Sequence, residues 1–190
     1  VVLLEGAVAP GGWLAAQALR SDAAAEAERA RLAPLLDGLA GTGVQLRCRT
    51  TALAIYDHRL VVALETFDGA GGVLRERLWK LRARQIALAT GAFERPMLFP
   101  DNDRPGVMLA GSVRAFLNRW GTVPGPRIAV FGNNDDAHRT ARDLSQAGLK
   151  VAALIDTRGE ARVDGSSYPV VTGAQVVATT GRLGLQSITV

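Results

Sequence analysis

Apolar residues recur with a helical period in three stretches of the chain and with a strand period in the stretches around them. The first helix is predicted over residues 22–39, with Asp22 as its N-cap and Gly41–Gly43 ending it. The second runs from Ser112 to Gly121 and the third from Asp135 to Gln146. The apolar faces of the first two helices are formed by Leu32, Leu35, Leu36, Leu39, Val113, Phe116, Leu117 and Trp120.

Strands are predicted where apolar and polar residues alternate, or where a short apolar run ends at turn residues. The predicted strands are Val1–Leu4, Val44–Tyr56, Leu60–Phe67, Val73–Leu81, Ile86–Ala89, Arg127–Phe131 and Lys150–Ile155, followed by a β-rich stretch from Val170 to Val190. Turns at Asp57-His58 and at residues 68–72 join three of these strands into a meander. In its last strand Trp79 and Leu81 alternate with Lys80 and Arg82, which predicts one buried and one solvated face.

The order strand, turn, helix, strand over residues 127–156 is that of a parallel, right-handed unit. We therefore predict an α/β fold with two Rossmann-like units. The first, residues 1–123, contains the meander, and the second, residues 124–190, follows the linker Pro124-Gly125-Pro126. A glycine-rich turn should lie roughly 20 residues before an acid such as Glu5, and none does. We expect the chain to be truncated at both ends.

Composition excludes several classes of protein. Apolar residues make up 48% of the chain, which supports a packed core. The net charge of +4 is typical of an arginine-rich surface, and no nucleic-acid-binding signature accompanies it. No apolar run is long enough for a membrane span. The single cysteine, Cys48, lies in an apolar run that predicts a core position, and it fits a reducing, cytoplasmic location.

The first candidate site lies at the end of the first strand. Glu5 follows that strand, and an acid in this position accepts hydrogen bonds from ribose hydroxyls in dinucleotide-binding proteins. The glycines of Pro10-Gly11-Gly12 allow a loop to approach a pyrophosphate. Further along, Thr90-Gly91 ends an apolar strand with small residues that let backbone pass close to a ligand.

A second glycine turn, Gly132 to Ala137, departs from the dinucleotide fingerprint. Asn134 stands where a glycine lets phosphate approach, and two carboxylates, Asp135 and Asp136, would repel an anion at the helix N-terminus. Either aspartate could serve as the helix cap. Asp156 follows the next strand and could still meet a ribose. We expect this unit to have kept the fold and lost tight nucleotide binding.

The sequence offers no catalytic residue and no metal site. The two histidines, His58 and His138, have no metal-ligand spacing, and no nucleophile motif is present. If the chain is part of an oxidoreductase, hydride chemistry belongs to a cofactor or another subunit.

Three segments in order, at residues 49–61, 88–121 and 131–158, resemble the alpha subunit of heterotetrameric sarcosine oxidase and the related hydroxyproline, proline and opine dehydrogenase subunits. The resemblance implies an FAD/NAD(P)-binding, three-layer ββα fold of the glutathione reductase type. It implies a hetero-oligomeric complex that oxidises a secondary amine. In that family the alpha subunit holds a dinucleotide (NAD in sarcosine oxidase), the beta subunit oxidises the amine at FAD, FMN relays electrons at the interface, and a C-terminal alpha domain handles folate.

The resemblance also assigns residues to the dinucleotide, NAD or FAD. They are Glu5 at the adenosine ribose, Gly11 and Gly12 near the pyrophosphate, Thr51 and Ala52 beside the adenine, and Ala89, Thr90 and Gly91 flanking the cofactor. Two other interpretations stay open. The chain could be a Rossmann-like interaction scaffold that binds no nucleotide, or part of a pyridine-nucleotide disulfide reductase, which the lack of a Cys-x-x-Cys pair disfavours.

Overall fold

A computed structural model describes residues 1–16, 23–160 and 165–190. Its described residues form two compact units, one of residues 1–15 and 23–92 and one of residues 16, 93–160 and 165–190. These units are defined by packing, whereas the predicted domains 1–123 and 124–190 are repeats of a fold. The domain assignment therefore stays a prediction.

The first unit opens with a small parallel sheet. Strand β1 (Val2–Leu4) pairs with β2 (Gln45–Arg47), and Leu3 lies opposite Leu46. Two helices lie between these strands in the chain, α1 (Gly12–Ala16) and α2 (Ala23–Asp37).

Helix α2 falls within the predicted range 22–39, although its predicted cap, Asp22, lies outside the described residues. The predicted apolar stripe is wrong at Leu35, which is 64% exposed. The other three leucines of the stripe are half-buried.

An antiparallel meander completes the first unit. Its strands are β3 (Thr50–Tyr56), β4 (Leu60–Asp68) and β5 (Leu74–Arg82), joined by 3-10 turns at Asp57–Arg59 and Ala70–Gly72. The predicted strand Val44–Tyr56 is two strands. It breaks at Cys48 and Arg49, where Arg49 adopts a left-handed φ of 50°, so that β2 joins the parallel sheet and β3 the meander. Cys48 is half-buried.

The second unit is built around a parallel sheet of order β6-β7-β8. Its elements are α3 (Ala110–Trp120), β6 (Arg127–Gly132), α4 (Asp135–Gln146), β7 (Lys150–Asp156) and β8 (Val170–Thr172), followed by the antiparallel pair β9 (Ala178–Thr180) and β10 (Ser187–Thr189). Helix α3 begins two residues before the predicted start, Ser112, and ends as predicted at Gly121, whose φ is 63°.

The core of the second unit lies between α4 and the sheet. Residues at positions i, i+4 and i+7 of α4, namely Ala137, Ala141 and Leu144, face it and are buried. Leu154 of β7 is fully buried against them. A Cβ on Gly132 would collide with the Cβ of Ala137, so only glycine lets β6 and α4 pack this closely.

The stretch 83–109 contains neither helix nor strand. The predicted strand Ile86–Ala89 is therefore wrong. Its residues are largely exposed, with Leu88 at 72%, so the apolar run lacks the buried neighbours that would hold it in a sheet.

Candidate functional site

Glu5 is held by backbone hydrogen bonds on both sides. Its N–H donates to the carbonyl of Arg47 at 2.9 Å, and its own carbonyl accepts from the N–H of Thr50 at 2.9 Å. Both bonds lie in the first unit, where the chain leaves β1 and runs beside the β2–β3 break. The half-buried Glu5 is thus fixed at the carboxyl end of a parallel strand, the end at which such sheets bind ligands.

One carboxylate oxygen of Glu5 accepts a hydrogen bond from the backbone of the same segment. Oε1 accepts from the N–H of Ala7 at 2.8 Å. Within the described ranges, no protein group donates to Oε2. A half-buried carboxylate with a free oxygen can accept hydrogen bonds from a diol such as that of a ribose.

Thr51 lies beside Glu5, as the predicted site requires. A Cβ placed on Gly6 would lie 3.4 Å from Oγ1 of Thr51, and the N–H of Arg49 donates to the carbonyl of Ala7 at 2.8 Å. Thr51 and its neighbour Ala52 are exposed, and the meander has an irregular register between Ala52 and Ala54. Backbone at such a bulge is open to a ligand.

Gly11 and Gly12 form a turn before α1. Their φ angles are 131° and 46°, in the region that favours glycine. Among the described residues, no atom beyond the chain neighbours lies within 4 Å of a Cβ placed on Gly12.

The last three predicted site residues lie in the stretch without helix or strand. Ala89, Thr90 and Gly91 are exposed, and Gly91 turns the chain with a φ of 72°. Across the described residues no hydrogen bond joins them to Glu5. The structure therefore brings Glu5 and Thr51 close together, and the binding role of every predicted site residue stays a prediction.

The turn at residues 132–137 of the second unit provides the cap of the helix that follows it. Oδ1 of Asn134 accepts from the N–H of Ala137 at 3.1 Å and caps α4, so the predicted cap at Asp135 or Asp136 is wrong. The two aspartates form ion pairs instead. Asp135 pairs with Arg158 at 2.9 Å, and Asp136 pairs with the buried Arg114 at 3.0 Å.

Asp156 is the residue predicted to be able to contact a ribose. It is fully buried, and its carboxylate oxygens already accept hydrogen bonds from protein groups. Oδ2 lies 2.7 Å from Nε2 of His138 and 2.8 Å from a terminal nitrogen of Arg158, while Oδ1 accepts from the backbone N–H of Arg158 at 2.9 Å. Burial alone would raise the pKa of Asp156. The hydrogen bonds from Arg158 and His138 outweigh burial and lower this pKa to about 2, and the pKa of Arg158 is raised in return.

Sequence reasoning missed Arg158 and the role of His138. The available signal was an arginine two residues after the acid that ends β7, in Asp156-Thr157-Arg158. A guanidinium that close can fold back onto the carboxylate. In the described parts of the chain, no group of three His, Cys, Asp or Glu side chains could hold a metal ion. The described helices are also too short or too polar to cross a bilayer.

Comparison with known proteins identifies the relatives of this chain. Over 197 residues the chain is 39% identical to the sarcosine oxidase alpha chain of Rhizobium meliloti, an alignment that covers 100% of this chain and 20% of that protein. It is 46% identical over 142 residues to the corresponding protein of Corynebacterium sp. strain P-1, covering 69% of this chain and 15% of that protein.

This chain is a homologue of the alpha subunit of sarcosine oxidase. The resemblance seen in the sequence is confirmed. An opine oxidase subunit from Agrobacterium tumefaciens is more distant, at 32% identity over 111 residues, covering 54% of this chain and 22% of that protein. The chain spans about one fifth of the length of the curated relatives it matches. No family model matches it.

A solved structure shares the fold of this sarcosine oxidase homologue. The crystal structure of L-proline dehydrogenase from P. horikoshii matches with a TM-score of 0.65 at 22% identity, covering 99% of this chain and 33% of that one. At this identity the match concerns the fold alone. The predicted FAD/NAD(P)-binding α/β fold is confirmed.

Proposed function

We propose that this chain is the dinucleotide-binding part of the alpha subunit of a flavin-dependent amine oxidoreductase of the sarcosine oxidase type. The observation that carries this proposal is the 39% identity to the sarcosine oxidase alpha chain of Rhizobium meliloti along the whole of this chain. The geometry at Glu5 supports it, because Glu5 lies at the carboxyl end of β1 and, among the described residues, no group donates a hydrogen bond to its Oε2.

The residues present fit a dinucleotide in the first unit. Glu5 would accept hydrogen bonds from the adenosine ribose, the Gly11-Gly12 turn would admit the pyrophosphate, and Thr51 would border the adenine. When bound, NAD or FAD supplies the electron-transfer chemistry, and these residues bind and orient it. Because Glu5 carries negative charge, it disfavours the 2′-phosphate of NADP.

One dinucleotide per chain is the expected stoichiometry. In the second unit Asp156 is already satisfied by Arg158 and His138, and Asn134 takes up the N–H of Ala137. A ribose at Asp156 would have to displace charge-assisted hydrogen bonds, which are about twice as strong as neutral ones.

The partners and the location follow the same proposal. The names of the relatives identify them as subunits. We place this chain in a cytoplasmic hetero-oligomer whose other subunits hold FAD and FMN and oxidise a secondary amine.

Titration of the full-length protein with NAD, FAD and NADP tests the proposal. Isothermal calorimetry should report one site for NAD or FAD. Glu5→Ala should weaken that binding by roughly 1–3 kcal/mol, the cost of leaving ribose hydroxyls unpaired. The affinity of Glu5→Gln should lie between those of the unmutated protein and of Glu5→Ala, because its amide keeps one acceptor oxygen. Glu76→Gln removes an exposed carboxylate from β5 and should leave the affinity unchanged.

The outcomes separate the competing interpretations. Binding that is insensitive to Glu5→Ala would remove Glu5 from the site. Binding of none of the three nucleotides would favour the interaction scaffold. NADP-dependent reduction of a disulfide substrate would favour the disulfide reductase interpretation.

A further inference from the structure

A cleft in the second unit lies beside α4 and is not part of the proposed nucleotide site. Its volume is about 790 Å³, within the roughly 300–1,000 Å³ of pockets that bind small molecules. All of its described lining residues belong to α4, to β7 and β8, or to the segments next to these strands. Its described walls therefore lie within one unit.

The described part of the connection between β7 and β8 contains no helix that would fill this space. A right-handed connection between these parallel strands runs over the sheet face that α4 covers, and such connections commonly contain a helix. Here residues 157–160 and 165–169 are irregular. Leu154 of β7 and Val170 of β8 therefore contribute apolar lining to a cleft.

Four polar side chains of the cleft, which we call the donor cluster, lie next to one another. Arg142 and Ser145 are three residues apart on α4 and share one face of the helix. The hydroxyl oxygens of Ser145 and Ser167 are 3.1 Å apart, and Tyr168 follows Ser167 in the chain. Burial raises the pKa of the Tyr168 hydroxyl, and the nearby charge on Arg142 only partly opposes this rise. The phenol therefore keeps its proton at neutral pH.

The donors of this cluster are available to a ligand. Within the described ranges, neither the guanidinium of Arg142 nor the hydroxyl of Tyr168 forms a hydrogen bond or an ion pair. Of the hydroxyls of Ser145 and Ser167, one donates to the other, so the second proton can still be donated. The cluster thus presents three donor groups to the cleft, namely a guanidinium, a phenol and a serine hydroxyl.

The charges around the donor cluster favour an anion. The charged side chains in the described lining are three arginines and two acids, namely Arg139, Arg142, Arg158, Asp135 and Glu160. Asp135 is already paired with Arg158 at 2.9 Å. A surplus of cationic side chains in a cleft raises the local concentration of anionic ligands.

We infer that the donor cluster binds the phosphate group of a small phosphate monoester. A monoester has three terminal oxygens, one for each donor group, and arginine is a preferred partner of phosphate. A carboxylate offers two oxygens, so two of the donor groups would have to share one. The organic part of the ligand would lie against Leu154 and Val170, because the cleft is much larger than a phosphate group. This site goes beyond the proposed function and does not depend on it.

Calorimetric titration of the full-length protein with phenyl phosphate, in a buffer free of phosphate, tests this inference. The unmutated protein should show saturable binding. Arg142→Ala should raise the Kd at least about tenfold, the loss expected for hydrogen bonds to a charged group. Tyr168→Phe keeps the ring and should raise the Kd about fivefold. Arg182→Ala is the matched control, because it removes an exposed arginine of the second unit outside the cleft, and its Kd should stay within about twofold.

Every outcome counts for or against the site. Equal effects of Arg142→Ala and Arg182→Ala, including no effect of either, would overturn the inference, because the donor cluster would then contribute nothing specific. Tighter binding of benzoate than of phenyl phosphate would overturn the assignment to phosphate monoesters. Absence of saturable binding by the unmutated protein would overturn the site itself. The proposed function is tested separately with NAD and FAD, which carry a pyrophosphate and no phosphate monoester.

Discussion

Replacing Arg158 by alanine should destabilise the second unit at neutral pH and much less in acid. The variant removes the guanidinium that donates to both oxygens of Asp156 but keeps the backbone N–H of residue 158 and the contact from His138. Asp156 is fully buried, so water cannot replace the lost donors.

The magnitude follows from the pKa of Asp156. Lowering this pKa from 3.8 to about 2 corresponds to about 2 kcal/mol of folding free energy at neutral pH. Because the pKa is lower in the folded protein, this contribution is present above pH 3.8 and is lost as the pH falls through the folded pKa near 2. Without Arg158 the largest contact that lowers the pKa of Asp156 is lost while burial, which raises this pKa, remains, so the stabilisation decreases.

Urea unfolding of the 190-residue chain, followed by circular dichroism between pH 7 and pH 3, measures the effect. The free energy of unfolding of Arg158→Ala should be about 2 kcal/mol below that of the unmutated chain at pH 7. The difference should shrink below pH 4. Arg142→Ala, which removes an exposed arginine from α4, serves as the control and should be nearly neutral. A deficit of equal size at pH 7 and pH 3 would refute the assignment of the stabilisation to Asp156.

Three further substitutions test the buried ion pair, the close packing of β6 on α4 and the backbone strain at residue 59. Arg114→Met should cost about 3 kcal/mol or more of unfolding free energy in the same urea assay, because it removes a buried cation and leaves its carboxylate partners uncompensated. Gly132→Ala should cost roughly 1–3 kcal/mol by forcing a collision with Ala137, whereas Gly125→Ala, at an open position, should be neutral; equal effects would contradict the close packing of β6 on α4. Arg59→Gly should raise the melting temperature and the unfolding free energy by about 1 kcal/mol, because residue 59 has a φ of 57°; a lower melting temperature would argue against strain in that turn.

Local sequence patterns predicted most elements of the fold because those patterns are strong. The alternation of apolar and charged residues on β5 appears as predicted, with Trp79 and Leu81 more buried than Lys80 and Arg82. Helix α4 has the predicted bounds because its buried positions repeat at helical spacing. These signals depend only on near neighbours in the chain.

The errors fall where tertiary contacts decide. The break at Cys48 and Arg49 divides one apolar run between two sheets, and no local pattern marks the left-handed turn of Arg49. Residues 86–89 read as a strand, yet no partner strand among the described residues pairs with them.

The candidate site was predictable in part for the same reason. Glu5 follows a short apolar strand, which is a local signal, and its neighbour Thr51 became adjacent only through pairing of the chain with β2 and β3. The contact between His138 and Asp156 joins side chains 18 residues apart in the chain, and no local spacing reveals it.

The internal pairing of Asp156 bears on how the protein matures. The second unit has the form of a nucleotide-binding unit, but its Asp156 is already paired with Arg158. Its folding therefore does not require a bound small molecule and does not depend on the supply of a cofactor. In cells starved of flavin or nicotinamide precursors, this half should still reach its native state and resist proteases.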